Sequence, residues 1–207
     1  MLTAPDIAPA QDVQTVGLES VATLAAITAD AFRDDPFNRW LFGGFDPMQR
    51  TFANLAKHIY APNGFCQILK EDGDGRAAAM WLMPGDKPDA TLAGTLQTYW
   101  GLFASGGLGA LKRGKAAGDA MAMHHPKAPH AYLFTVGVAS AGRGRGLGRR
   151  LVEPVLKACD RSGTVAYLEN SNPANQRFYA SLGFERVELF HATPDSPPLE
   201  AMQRNPR

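Results

Sequence analysis

The stretch Val136-Gly-Val-Ala-Ser-Ala-Gly-Arg-Gly-Arg-Gly-Leu-Gly-Arg-Arg150 gathers the parts of an anion site. Glycines at positions 142, 144, 146 and 148 let the backbone adopt φ > 0 and approach a ligand closely. Such a turn points several N–H groups into one concavity, and a helix starting beyond it adds its positive dipole end. Arg143, Arg145, Arg149 and Arg150 supply positive charge around the same spot. The chemistry on offer is binding of a polyanion, most simply a pyrophosphate.

Spacing decides which polyanion motif this is. A dinucleotide fingerprint needs glycines at i, i+2 and i+5, but positions 147 and 149 are Leu and Arg. A Walker loop needs a closing Gly-Lys-Ser/Thr, and that tripeptide does not occur. The pattern that fits is Arg-x-x-Gly-x-Gly, met by Arg143, Gly146 and Gly148 after the strand-like 133–138. The plain alternatives are a glycine-rich turn capping a helix or a short Arg-Gly segment that binds nucleic acid. A second patterned stretch follows, Tyr167-Leu-Glu-Asn-Ser-Asn-Pro-Ala-Asn-Gln-Arg-Phe-Tyr-Ala-Ser-Leu-Gly-Phe184. It carries a carboxylate at Glu169, amides at Asn172 and Asn175 and a phenol at Tyr179.

These groups must be held by a framework, and the chain predicts one. Residues 13–18 read as a first strand and 19–32 as an Ala-rich helix stopped by Asp34-Asp-Pro36, since a residue before proline avoids the α region. Helices are expected at 37–42 and 47–60. Strands 65–70 and 76–83 form a hairpin around Asp72-Gly-Asp-Gly75. Helices at 90–103 and 108–123 are broken by Ser105-Gly-Gly107. Residues 130–138 are the central strand, and 146–161 are the helix behind the glycine turn, with Leu147, Leu151, Val155 and Cys159 recurring every four residues. Pro154 inside that helix removes a hydrogen bond and predicts a kink, at roughly 3 kcal/mol. A strand at 165–170, a helix at 173–182 and strands at 184–192 and 199–204 complete the chain.

Taken in order, the two patterned stretches resemble the signatures of the GNAT superfamily of N-acetyltransferases. Asn172 stands at that family's usual interval before Tyr179. Ala31-Phe-Arg-Asp-Asp-Pro36, Trp81-Leu-Met-Pro84, His125-Pro-Lys-Ala-Pro129, Tyr132-Leu-Phe-Thr-Val-Gly-Val138 and Val152-Glu-Pro154 look like the puromycin N-acetyltransferase branch. The resemblance implies an α/β (mixed α+β) fold, a twisted mixed sheet of six to seven strands flanked by helices. Its fourth and fifth strands splay to admit acetyl-CoA. It also implies pantetheine pairing at Val136, Gly137 and Val138. The pyrophosphate would be cradled by Arg143, Gly144, Arg145, Gly146, Leu147, Gly148 and Arg149. Asn172 and Asn175 would contact the coenzyme, or serve as helix-cap and turn groups.

The same resemblance implies direct acetyl transfer to an amine. Tyr179 takes the general-acid position, although a Phe-Tyr pair on an amphipathic helix is also ordinary core. Glu169 is the candidate base or amine-binding carboxylate, with a surface ion pair as its alternative. His124 and His125 read as a solvated connector, while His130 is a candidate site residue because histidine titrates near neutrality. Asp34 and Asp35 are candidates to attract a cationic amine, with helix capping or solvation the alternative for at least one. Trp40, Trp81, Tyr99, Trp100 and Phe103 read mostly as core, with one or two walling the acceptor pocket. The rivals are a protein Nα- or lysine acetyltransferase and a non-catalytic acyl-CoA sensor of the same fold.

Composition sets the remaining bounds. The 207 residues suit one catalytic domain over 12–207 behind a flexible 1–11. A net charge of +1 gives no global field for nucleic acid or membrane. Cys66 and Cys159 lack metal spacing, so no metal and two reduced thiols are expected. The first residues lack a signal-peptide pattern, which points to a cytoplasmic location. The resemblance implies a small-molecule amine as acceptor, taken by a monomer or homodimer.

Overall fold

The structure, a computed structural model, describes residues 2–86 and 92–207. Its centre is a seven-stranded sheet built from β1 (Val13–Val16), β2 (Phe65–Glu71), β3 (Asp74–Leu82), β4 (Ala131–Val138), β5 (Ala166–Asn170), β6 (Glu185–His191) and β7 (Pro198–Arg204). The strand order is β1-β2-β3-β4-β5-β7-β6. Only β4 and β5 run parallel; every other pair is antiparallel. The β2–β3 hairpin is tighter than expected, because Asp72 and Gly73 both take positive φ (53° and 83°). Two such residues match the right-handed twist of the flanking strands.

Helices cover both faces. On one side lie α1 (Val21–Ala31), α2 (Pro36–Phe42) and α3 (Phe45–Leu55), the last running through a π-helical turn at Ala56–Tyr60 into a single turn, α4 (Ala61–Asn63). With them packs the long α5 (Leu92–His124), bent where Gly106 and Gly107 leave helical geometry. The expected break falls there, whereas the expected helix start at residues 90 and 91 lies outside the described residues. On the opposite face α6 (Leu147–Ser162) buries Leu147, Leu151, Val155 and Cys159 against the sheet. It continues through Pro154 as one element. The short α7 (Gln176–Ser181) closes the end of the cleft described below.

The splay of β4 from β5 has a local cause. Trp81 pairs with Leu133 and Met80 with Thr135, so Phe134 is an extra residue in β4. A bulge bends its strand and interrupts the ladder. Parallel pairing with β5 is confined to Ala131–Ala166 and Tyr132–Tyr167, just before that bulge. Beyond it the β4 edge facing β5 is open. The bulge also switches faces: Tyr132 and Phe134 pack with α1 and α3, whereas Val136 and Val138 turn towards α6.

The N-terminal segment corrects an expectation. Residues 2–11 are docked rather than frayed, since Leu2 and Ile7 are 1% and 5% exposed within the α6-side core. Their burial offsets the ordering cost that a Pro- and Ala-rich tail would otherwise leave unmet. Cys66 and Cys159 are free and buried. Burial pushes both thiols up to about 12. Among the described residues no helix is long and apolar enough to cross a membrane.

A part-buried ion pair ties the second half together. Arg204 on β7 meets Asp160 of α6 in a fork of 2.7 and 2.9 Å and donates from Nε to the Leu182 carbonyl at 2.9 Å. The Arg204 hydrogen bond, with the Arg207 amide helping, holds the Asp160 carboxyl below the usual range. A carboxyl depressed in the folded state stabilises above its unfolded value of about 3.9, and that contribution is lost as pH falls through the folded value. Arg204→Ala is expected to lower stability by about 3 kcal/mol at pH 7. It should also flatten the acid limb of a urea-unfolding series; an unchanged limb would remove this pair from the acid response.

Candidate active site

The glycine turn is assembled by α1. Asp30 of α1 accepts from both the amide and the hydroxyl of Ser140 at 2.7 Å. Arg143 donates to the Ala31 carbonyl at 3.2 Å, covering the end of the same helix. Gly137 is required for this approach, because a Cβ there would stand 2.7 Å from the Ala31 Cβ. Gly144 and Gly146 take φ of 76° and 74°. The first helical bond of α6 runs from Arg150 N–H to the Gly146 carbonyl at 3.2 Å. The amides of Leu147, Gly148 and Arg149 therefore have no partner within the helix. They are the donors an anion takes.

A cleft of about 450 Å³ lies over this turn, lined by Val136, Gly137, Val138, Arg143, Gly144, Gly146, Leu147, Gly148, Arg149, Asn172 and Asn175, with Ala31, Phe178 and Tyr179. It fits a diphosphate-bearing thioester: donors and arginines at one end, an open strand edge leading inward. Arg145 departs from expectation. It pairs with Glu71 at 2.8 Å and does not line the cleft. Arg150 is likewise held by Asp12. Asn172 accepts from the Ala174 amide at 3.0 Å, which makes it a turn-capping group at the cleft wall.

A second cavity of about 270 Å³ lies beneath α1, α2, α3 and α5. Its walls include Phe32, Phe37, Phe42, Phe52 and Phe134 from those elements and the bulge of β4. Thr98, Leu102, Ala117 and Met121 of α5 form the roof. Among the described lining residues Glu169 carries the only carboxylate, and no Lys or Arg is present. The two cavities share Phe32, Val136, Asn175 and Tyr179. Tyr179 therefore stands at their junction. Burial first, then the Asp35 charge, pushes its phenol up, so it holds its proton throughout the neutral range.

Glu169 is no surface ion-pair residue. Its side chain is 3% exposed and lies 3.4 Å from His125 Nδ1. Tyr60, Tyr132 and Tyr167 surround it, each pushed up by burial first and by the Glu169 charge second. His125, which the sequence placed in a solvated connector, is thus brought against Glu169. Only its spacing from His130, across Pro126 and Pro129, marked it in the chain.

Of the acceptor-site candidates, Asp35 takes its capping alternative, while Trp40, Trp100 and His130 line neither cavity. Asp35 is 4% exposed and caps α2, with Oδ1 accepting from the Asn38 amide at 2.8 Å and Oδ2 from the Ser171 hydroxyl at 2.7 Å. These bonds tie α2 to the end of β5, and Asp35 stands in the wall of the donor cleft rather than in the apolar cavity. Trp40 packs on Phe37 at 5.3 Å and lines neither cavity. Trp100 is 69% exposed and points away from both. His130 stands behind His125, outside the cavity wall. The aromatic wall is made by phenylalanines instead.

Comparisons with known proteins agree with this geometry. The acetyltransferase (GNAT) family model matches residues 28–184. An uncharacterized N-acetyltransferase of Schizosaccharomyces pombe is 30% identical over 88% of this chain and 78% of its own length. N-alpha-acetyltransferase 40 of Saccharomyces cerevisiae is 38% identical, but over only 36% of this chain and 29% of that protein. Among solved structures, a histone acetyltransferase HPA2 and related acetyltransferase from Corynebacterium glutamicum superposes with a TM-score of 0.69 at 24% identity. The match covers 94% of this chain and 96% of that one. The chain belongs to the acetyltransferase (GNAT) family, and is an N-acetyltransferase that draws its acyl group from acetyl-CoA.

Proposed function

We propose that this enzyme acetylates the primary amine of a small, largely apolar molecule by direct transfer from acetyl-CoA. The observation that carries the reading is the phenylalanine-walled cavity, with its single carboxylate, meeting the anion-binding cleft at Tyr179. Burying an apolar body there is favourable by about 25 cal/mol per Å², and one carboxylate attracts one ammonium. A peptide substrate needs a groove for its flanking residues, whereas α5 roofs this cavity. The resemblance to the puromycin N-acetyltransferase branch supports an aromatic or nucleoside-type amine within this class. The local similarity to an Nα-acetyltransferase covers too little of either chain to favour a protein N-terminus.

Acetyl-CoA supplies the thioester carbonyl. The chain's own groups do the rest. Leu147, Gly148 and Arg149 amides, with Arg143, would hold the diphosphate. Backbone N–H groups on the open edge of β4 near Val138 would polarise the carbonyl oxygen. Glu169 draws the ammonium and takes its proton, leaving the neutral amine that attacks. Tyr179 donates to the departing sulfur. Burial keeps the Tyr179 phenol protonated at neutral pH, so it has a proton to give to the departing thiolate.

A panel of amines assayed for free-thiol release tests the proposal. Small aromatic or hydrophobic amines are expected to exceed tetrapeptides with free N-termini by at least about tenfold in kcat/KM, a difference of about 1.4 kcal/mol. Faster turnover of the peptides would transfer the enzyme to the protein-modifying class.

A further inference from the structure

Behind Glu169 stands a line of groups that the mechanism above leaves unused. His125 Nδ1 is 3.4 Å from Glu169 Oε1, and its Nε2 is 3.0 Å from His130 Nε2. His130 Nδ1 lies 2.8 Å from the Ala128 carbonyl. A carbonyl only accepts, so His130 carries its proton on Nδ1 and offers a bare Nε2. His125 must then donate from Nε2. Its Nδ1 faces a carboxylate oxygen, which also accepts when ionised. With an ionised carboxylate and two neutral imidazoles, the line is one proton short of satisfied.

We propose that Glu169, His125 and His130 form a proton relay that takes up the proton of the acceptor ammonium. The inference rests on the acetyl transfer to an amine argued above. The N–H bond of the ammonium breaks towards a Glu169 oxygen and its electron pair stays on nitrogen. The transient O–H bond on Glu169 then breaks, its electron pair returning to the carboxylate, as a new N–H bond forms at His125 Nδ1. The product is a neutral amine beside a carboxylate–imidazolium pair, with every hydrogen bond in the line now satisfied. His130 receives the Nε2 proton of His125 as a hydrogen bond and fixes that ring. His125 is 33% exposed at its side chain, so the stored proton can leave to solvent once the product departs.

The surroundings suit the task. Facing Glu169 are Tyr60 from the turn after α3, Tyr132 from β4, Tyr167 from β5, and the two histidines from the connector after α5. Glu188 of β6 bears on Tyr167 and binds His124 at 2.8 Å. Among these neighbours no Lys or Arg appears, so a positive charge on His125 meets phenols, carboxylates and the accepting imidazole of His130. Burial also pushes the His130 imidazole down, in keeping with its role as the neutral acceptor. His125 and His130 act through Glu169 and are positioning residues; Glu169 is the catalytic group.

Two measurements on the full chain decide the matter. In the first, kcat/KM is followed from pH 6 to 9 with the best amine of the panel. His125→Gln should fall by about 10²-fold at pH 7 and regain rate with unit slope as bulk pH deprotonates the amine. The wild type levels off earlier in the range, because it deprotonates the amine itself. His130→Ala should lose roughly tenfold, and His130→Gln less, because its amide oxygen still accepts from His125. A uniform drop with unaltered pH profile in His125→Gln would overturn the relay. The second needs no substrate: histidine side-chain ¹⁵N spectra of the labelled protein. The expected pattern is the Nδ1–H form at His130, and a His125 protonation that changes in Glu169→Gln. Two histidines indifferent to that substitution would end the proposal. If no amine is turned over but these spectra hold, the hydrogen-bonded line stands and its assignment to an ammonium proton falls with the substrate reading.

Discussion

Tyr179→Phe is expected to lower kcat by about 10²–10⁴-fold while leaving the dissociation constant for CoA within a factor of two. The substitution removes one hydroxyl from a ring that remains packed against Phe178 and Phe184 at 5.2 and 6.1 Å. Its apolar contacts survive, so folding and donor binding should be intact. What disappears is, among the described residues, the only proton donor at the junction of the two cavities that is itself buried and held in its protonated form by burial and by Asp35. Steady-state kinetics with a competent amine, paired with calorimetric titration of CoA, checks both halves. Unaltered turnover would take Tyr179 out of the chemistry and make it a packing residue.

Gly146→Asp should weaken CoA binding by about 10³-fold, since one added charge some 4 Å from an anion costs about 4 kcal/mol in a surface-like dielectric. The companion substitution separates charge from backbone. Gly146 takes φ of 74°, and an added Cβ would meet nothing within 4 Å. Gly146→Ala therefore bears only the left-handed backbone penalty, about 1–2 kcal/mol, which falls mainly on stability. Near-native CoA affinity in the alanine variant with loss in the aspartate variant identifies the turn as the anion cradle. Equal affinity in both would move the diphosphate elsewhere.

The element sequence was readable because each segment carried its own local signal. Asp34-Asp-Pro36 ended α1, Asp72-Gly73 turned the hairpin, and Gly106-Gly107 bent α5. The anion turn was readable for the same reason, since its chemistry lies in consecutive amides. The acceptor side was not. Trp40 and Trp100 carry as much apolar surface as Phe37 or Phe52, and only tertiary packing decides which rings look inward. Strict alternation along β4 fails at Phe134, because an inserted residue flips every later side chain. His125 and Glu169 are 44 residues apart, and nothing local links a Pro-flanked histidine to a carboxylate on another strand. The docking of Leu2 and Ile7 was equally hidden within a segment whose composition reads as a tail.

The two-residue ladder between β4 and β5 has a mechanical meaning. It divides the sheet into a four-stranded plate, β1 to β4, and a three-stranded plate, β5 to β7, hinged at one end. An extended coenzyme arm lying along the open edge would brace the plates like a spline driven into a saw cut. Donor occupancy would then govern how stiffly the acceptor chamber is held, so the protein would be firmest when it is loaded to react.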